Sequence, residues 1–190
     1  MRPEVHSPLH AARIARTRLL KLHPQVYFSR LHREIINATG WARKIRLKLA
    51  IRLNGTSDID WSPVAKRHPD VVFYDYTKDV GRALRALTDP SWPENYDLTL
   101  SRSEVNWRGC VDVLASGGRV AVVAKDYEDV LSLGEWAGHR LYDGVGDDLR
   151  FLEGPGITLL KPLGSAQKLA ASATLSGPSF VVAAEAWEVS

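Results

Sequence analysis

The chain has 190 residues, of which 45% are hydrophobic and 25% charged, so it fits one ordinary globular domain with at most a small appendage. Its single cysteine, Cys110, excludes an internal disulfide framework, a cysteine-ligated iron–sulfur cluster and a cysteine-rich zinc site. No apolar run approaches the roughly 20 residues of a membrane span, and the basic N-terminus lacks the apolar segment of a secretory signal. We therefore expect a cytoplasmic protein with no membrane partner.

The net charge of +3 hides a strong asymmetry along the chain. Residues 1–53 contain 12 Lys/Arg and 2 Glu, whereas residues 54–190 contain 13 Lys/Arg and 20 Asp/Glu. Clustered positive charge favours a polyanionic partner, most often nucleic acid, because phosphate groups are neutralised by Lys and Arg. A solvated helix face, or pairing with the acidic remainder of the chain, would explain the same pattern.

Two basic helices are predicted before the main body of the protein. Ser7-Pro8 is typical of a helix start, and His23-Pro24 ends that helix. The segment "YFSRLHREIINAT" predicts a second helix that stops at Gly40. We thus expect a basic helical region at 1–40 and an α/β domain at 41–190. The candidate nucleic-acid contacts are the basic side chains of these helices and of the segment that follows: Arg13, Arg16, Arg18, Lys21, Arg30, Arg33, Arg43 and Lys44.

Between Ala42 and Leu53 the periodicity supports two interpretations. Apolar residues alternate with polar ones from Ile45 onward, which indicates a strand. A helix through Trp41 to Leu47, followed by a short strand from Leu49, fits nearly as well. In either case a strand ends near Leu53, before the polar run "NGTSD".

The remaining chain alternates strand and helix patterns. Strands are predicted in "VVFYDYTK", "YDLTLSRSE", "RVAVVAK" and "ITLLKPL", and helices in "DWSPVAKRHPD", "DVGRALRAL" and "NWRGCVDVLASGG". The tail is predicted to be a loop followed by a terminal strand in "FVVAAEAW". This alternation of strands and helices predicts an α/β fold made of βα units. The parallel sheet is expected to be either open or curled into a partial TIM-like barrel.

Polar side chains follow each predicted strand, and the carboxyl ends of parallel strands are where such folds bind ligands. We predict Asp58 and Glu104 as acid/base or metal-binding groups, and Lys78 and Arg102 as groups that hold an anion. Solvated loops and helix caps would also place polar residues here. The other predicted ligand-binding residues of this set are Asn54, Thr56, Ser57, Tyr76, Ser101, Asp148 and Arg150.

Metal and nucleophile signatures are weak. Asp58 and Asp60, with Asp143 or Asp148, offer carboxylates that could bind Mg²⁺, but such pairs are common by chance. No H-E-x-x-H run, phosphate-binding loop or nucleophile elbow is present. We therefore predict no dedicated metal site, and the cofactor is left open.

Tryptophans lie near several predicted junctions. They could stack on nucleic-acid bases, but packing in the core and at hinges is the commoner role. The residues concerned are Trp41, Trp61, Trp92, Trp107 and Trp136.

The motifs "RLNGTSD" and "FYDYTK", within a region from about Leu49 to Leu160, resemble an uncharacterised family encoded by bacteriophages, especially those of actinobacteria. More distantly the region resembles phage proteins with a partial, radical-SAM-like TIM barrel. The resemblance implies a parallel α/β layer and a location in the host-cell cytoplasm. The cysteine run that binds the cluster of radical-SAM enzymes is absent here, so no iron–sulfur cluster is expected.

Three functions fit these patterns, and the sequence does not decide whether the protein is an enzyme. The first is binding of nucleic acid or a nucleotide through the basic region, with a catalytic or ligand pocket at the strand ends. The second is a non-catalytic protein that binds a host protein and retains a remnant enzyme fold. The third is an enzyme acting on a small molecule, in which the basic helices only face solvent.

Overall fold

The computed structural model describes residues 8–164 and the short strand at 181–182. The chain divides into two compact units, Met1–Leu49 and Ala50–Ser190, called here the helical unit and the sheet unit. The sequence pattern predicts the division after residue 40 instead, at the expected end of the second helix.

The helical unit contains α1, Pro8–Leu22, and α2, Pro24–Lys44, which contact each other. The prediction that Gly40 ends the second helix is wrong, because α2 continues through it at the modest cost of about 1 kcal/mol that glycine imposes in a helix. The helix ends where Arg46 adopts φ +58°. There the amide of Arg46 donates to the Arg43 carbonyl at 3.1 Å, and that of Leu47 to the Ala42 carbonyl at 2.9 Å. These two bonds form a Schellman cap, with an arginine where glycine is usual.

The sheet unit alternates strands and helices, as predicted. Its elements are β1 Ala50–Ile51, α3 Ser62–Arg67, β2 Val72–Thr77, α4 Val80–Thr88, β3 Tyr96–Ser101, α5 Trp107–Ala115, β4 Arg119–Ala124, α6 Tyr127–Ser132, β5 Glu135–Trp136, β6 His139–Asp143, a 3-10 turn at Arg150–Leu152, β7 Gly156–Leu160 and β8 Val181–Val182.

The strands form one sheet in the order β1-β2-β3-β4-β7-β6-β5, and β8 also pairs with β4. Among the residues that the structure describes, every pairing is parallel except that of β5 with β6. The predicted α/β fold with a parallel sheet is therefore confirmed. In the described residues the ladder is open at β1 and β5, so the TIM-like alternative gains no support.

Several boundaries differ from the predictions. α2 reaches Lys44 and β1 is only two residues long, so the helix-then-short-strand interpretation is correct and the long alternating strand from Ile45 is wrong. β3 ends at Ser101, within the polar end predicted for "YDLTLSRSE". The strand β6 was not among the predicted strands. Of the predicted terminal strand, Val181–Val182 is confirmed and the rest lies outside the described residues.

The two faces of the sheet differ in character. One carries the hydrophobic core, in which Leu100, Val120 and Ile157 are fully buried against side chains of α4, α5 and α6. The other face carries Thr99 and Thr158, which are equally buried but polar. Burial on β2 alternates along the strand, as expected where neighbouring side chains point to opposite faces. No helix in residues 8–164 is long and apolar enough to cross a bilayer.

Candidate functional site

The polar run after β1 is organised by one buried side chain, Asn54. Its Oδ1 accepts hydrogen bonds from Ser57 Oγ at 2.8 Å, the Ile59 amide at 3.0 Å and the Trp61 indole at 2.9 Å. Its Nδ2 donates to the Ile59 carbonyl at 2.8 Å. Only 4% of Asn54 is exposed, and these hydrogen bonds fix the conformation of the loop.

The two aspartates of this loop are engaged by α4 and α3. Asp58 accepts the Lys78 amide at 2.8 Å and the Arg82 guanidinium at 2.6 Å. Asp60 accepts the Ser62 amide at 2.9 Å and pairs with Arg85 at 3.2 Å. Burial alone would raise the pKa of Asp60, but the Ser62 hydrogen bonds and the arginine charges outweigh it and lower that pKa. Both carboxylates thus connect this loop to α4, and Asp60 also connects it to the start of α3.

A buried carboxyl, Asp75, lies beneath this loop in the middle of β2, with 2% of it exposed. It accepts hydrogen bonds from the backbone amide of Asn54 at 2.7 Å and from the Tyr96 hydroxyl at 3.0 Å. Burial raises the pKa of Asp75 to about 6, although both hydrogen bonds lower it. Asp75 was not predicted as a site residue. The signal that could have found it is an acidic residue inside the otherwise apolar and aromatic run "VVFYDYT".

A three-residue group of Arg52, Tyr76 and Asp148, called here the Arg52 cluster, joins β1 and β2 to the β6–β7 connection. Tyr76 donates to Asp148 at 2.9 Å, Arg52 pairs with the other oxygen of Asp148, and the guanidinium of Arg52 lies 4.6 Å from the centre of the Tyr76 ring. Burial, reinforced by Asp148, raises the pKa of Tyr76. Tyr76 and Asp148, both predicted as ligand-binding residues, are therefore brought together, by an arginine that the prediction omitted.

Arg150 is the most buried predicted ligand-binding residue, with 2% of its side chain exposed. It pairs with Glu153 and Asp147 and donates to the carbonyls of Asp143 and Asp147. Glu153 in turn accepts the Thr158 hydroxyl at 2.7 Å. Arg150 thus holds the loop before β7 in place.

The other predicted strand-end residues lie in different environments. Thr56, Lys78 and Glu104 are exposed. The guanidinium of Arg102 lies 5.3 Å from the Trp107 ring, and burial lowers the pKa of this arginine. The Ser101 carbonyl accepts the Asn106 side-chain amide at 3.0 Å.

The four carboxylates considered for Mg²⁺ each have separate partners. Asp58 and Asp60 are held by arginines, Asp148 belongs to the Arg52 cluster, and Asp143 accepts the Tyr127 hydroxyl. The described part of the chain contains no group of three or more His, Cys, Asp or Glu that could hold a metal ion.

The helical unit presents a dense basic surface. All eight predicted nucleic-acid contacts are exposed, four on α1 and four on α2. Glu34 is the one acidic residue between positions 8 and 49, against ten Lys/Arg. On α2 one line of side chains, called here the α2 stripe, advances in steps of three or four residues and so projects from one side of the helix. It consists of Arg30, Arg33, Asn37, Trp41 and Lys44. Ile35 and Ala42, seven residues apart, are buried on another side.

The tryptophans divide by environment. Trp61 is 2% exposed. The ring centres of Trp107 and Trp136 lie 5.7 Å apart at the edge of the core. Trp92 stacks on Tyr96 at 5.4 Å. Trp41 differs, with 62% of it exposed.

A protein-family model described as "Gene product 88" matches residues 4–175. No curated protein and no solved structure matches the chain. The family match agrees with the resemblance to a phage-encoded family, and the more distant resemblance to radical-SAM-like barrels stays a prediction.

Proposed function

The chain belongs to the gene product 88 family, a family of phage gene products, and from this premise we propose that it binds nucleic acid through its helical unit. The observation that carries the proposal is the exposure of eight basic side chains on α1 and α2 with a single glutamate among them. We assign binding, and no reaction, to this unit.

The spacing of the charges favours an extended polyanion over a single nucleotide. At a rise of about 1.5 Å per residue, Arg30 and Lys44 are separated by about 21 Å along α2. A free nucleotide carries its phosphates in one small group, whereas a nucleic-acid backbone repeats them at regular intervals. Lysines and arginines that neutralise successive phosphates release condensed counterions, which supplies much of the binding free energy.

In this proposal the sheet unit is a structural scaffold and makes no contact with phosphates. Its buried polar groups, among them Asn54, Asp75 and Arg150, bond mainly to one another and to the backbone. Its composition is acidic, with 20 Asp/Glu against 13 Lys/Arg from residue 54 onward. Phosphate contacts are therefore expected on the helical unit alone.

The test is fluorescence-anisotropy binding of the full chain to labelled DNA and RNA over a salt series. We expect the logarithm of the binding constant to fall linearly with the logarithm of the salt concentration. In a triple variant, Arg13→Gln, Arg16→Gln and Lys21→Gln, that slope should become shallower by roughly 0.7–0.9 for each phosphate that the variant no longer neutralises.

The matched control removes the same charge from the sheet unit, through Lys66→Gln, Arg108→Gln and Lys125→Gln, all exposed positions. This variant should keep the wild-type affinity and slope. Absence of binding at low salt, or an equal reduction of affinity in the control variant, would overturn the proposal. Salt-dependent binding to an acidic host protein without binding to nucleic acid would support the competing hypothesis instead.

A further inference from the structure

Resting on the nucleic-acid function above, we propose that Trp41 is a stacking platform for an unpaired base, so that the α2 stripe takes a single strand in preference to a duplex. The inference concerns which nucleic acid is bound, and it starts from the environment of one side chain.

Trp41 is a large aromatic side chain left open to solvent. With 62% of it exposed, it contrasts with Trp61, of which 2% is exposed, and with the half-buried Trp92, Trp107 and Trp136. A tryptophan usually covers its ring in the folded state, because the ring is one of the largest apolar surfaces that any residue offers. At Trp41 most of that surface is available to a partner.

Polar and charged residues lie on both sides of Trp41 along the stripe. Asn37 lies one turn before it and Lys44 about one turn after it, and Arg33 and Arg30 continue the line toward the N-terminus of α2. A ligand that lay along this line would meet cations at either end and a flat aromatic ring between them. That order of groups matches a nucleic-acid strand whose phosphates are neutralised by the cations while one base turns outward and stacks on the indole.

Stacking on an exposed indole requires a free base face, and this distinguishes a single strand from a duplex. In a duplex the faces of the bases are covered by their neighbours, and only the edges of the bases are reachable through the grooves. In a single strand every base offers a π face, and base–aromatic stacking is a main source of affinity, with little dependence on sequence. An indole that lies in line with cations therefore gains most from an unpaired base.

The experiment compares binding of the full chain to a single-stranded dT oligomer and to a duplex of the same length. Trp41→Ala should weaken single-strand binding about tenfold and leave duplex binding and the salt slope unchanged, because no charge is removed. Trp41→Phe should recover most of the affinity. The control is Ile36→Ala, which removes another exposed apolar side chain of α2 from a different side of the helix.

Two results would overturn the inference: an equal weakening for single strand and duplex, or no weakening for either. If the wild-type chain binds no nucleic acid at all, the proposed function itself has failed, which is a different outcome. A second measurement avoids any effect of the variant on folding. The wild-type chain is photocrosslinked to an oligomer that contains 5-bromodeoxyuridine, and the adduct is mapped by mass spectrometry. An adduct on Trp41 supports the inference, and adducts found only elsewhere contradict it.

Discussion

The hydroxyl of Tyr96 donates a 3.0 Å hydrogen bond to the carboxyl of Asp75, and both residues are 2% exposed. The other oxygen of that carboxyl accepts a hydrogen bond from the backbone amide of Asn54 at 2.7 Å. One buried acid thus joins β3 and β2 to the loop that follows β1. Because burying a carboxylate disfavours its charged form, this junction makes stability depend on pH.

The first prediction is that Asp75 makes the free energy of unfolding fall as pH rises from about 4 to about 6. The pKa of Asp75 is about 6 in the folded protein against an ordinary value of 3.8, so in this window the folded state holds a proton that the unfolded state has lost. Below the window both states are protonated. Above it the folded state carries a buried charge, at a cost of up to roughly 3 kcal/mol.

Urea denaturation of the wild type and of Asp75→Asn across this range measures the effect. Carboxylates with lowered pKa values, such as Asp60 and Asp143, act in the opposite direction, so the informative quantity is the difference between the two proteins. Asp75→Asn should gain stability relative to the wild type as pH rises. The exposed Asp112→Asn serves as control and should show no such trend. A difference independent of pH would contradict the assignment.

The second prediction concerns Asn54. Asn54→Ala should lower the free energy of unfolding by about 3 kcal/mol, because it leaves the Trp61 indole and the backbone groups of Ile59 without partners in a buried loop. Ser57→Ala removes one of the same hydrogen bonds from an exposed position and should cost less than about 1 kcal/mol. Equal costs in chemical denaturation would show that Asn54 does not organise the loop.

The third prediction compares the stability cost of removing two arginines, Arg150 in the β6–β7 connection and Arg52 after β1. Arg150→Met should cost about 3–5 kcal/mol, since it leaves Glu153, of which 15% is exposed, without its buried partner. Arg52→Met should cost about 1 kcal/mol or less, because the side chains of Arg52 and Asp148 are 31% and 46% exposed and water already screens their pairing. Denaturant midpoints of the two variants make the comparison, and similar reductions would show that burial does not set the difference.

The order of strands and helices could be predicted from the sequence because each element carries its own local pattern. Apolar runs such as "RVAVVA" and the Pro at the start of α3 are sufficient for that. The order of the strands within the sheet could not, because no local pattern records that β7 inserts between β4 and β6. Short elements were also missed: β5 is only two residues long, and α6, six residues long like α3, lacks the Pro that marks the start of α3.

The strand-end residues show a different limit of sequence-based prediction. A polar residue after a strand is equally expected whether it meets a ligand or a neighbouring loop. Only the folded structure shows that Asp58 meets Arg82 and that Asn54 meets Trp61. Arg52 and Asp75 were not selected because each lies within a run read as strand. By contrast, the basic side chains of α1 and α2 are exposed as expected, since charge on a helix can be read directly from the sequence.

The last prediction uses two glycines of opposite structural role. Gly40 lies inside α2, and a Cβ built there meets nothing within 4 Å, so Gly40→Ala should stabilise the protein by about 0.5–1 kcal/mol. Gly156 has φ +147°, and a Cβ there would lie 2.4 Å from the Arg140 carbonyl oxygen, so Gly156→Ala should destabilise by more than about 1 kcal/mol. Thermal unfolding followed by circular dichroism measures both variants. Since Gly40→Ala changes no charge, it should also leave the salt dependence of nucleic-acid binding intact. A decrease in the stability of Gly40→Ala would contradict the continuous helix on which the α2 stripe depends.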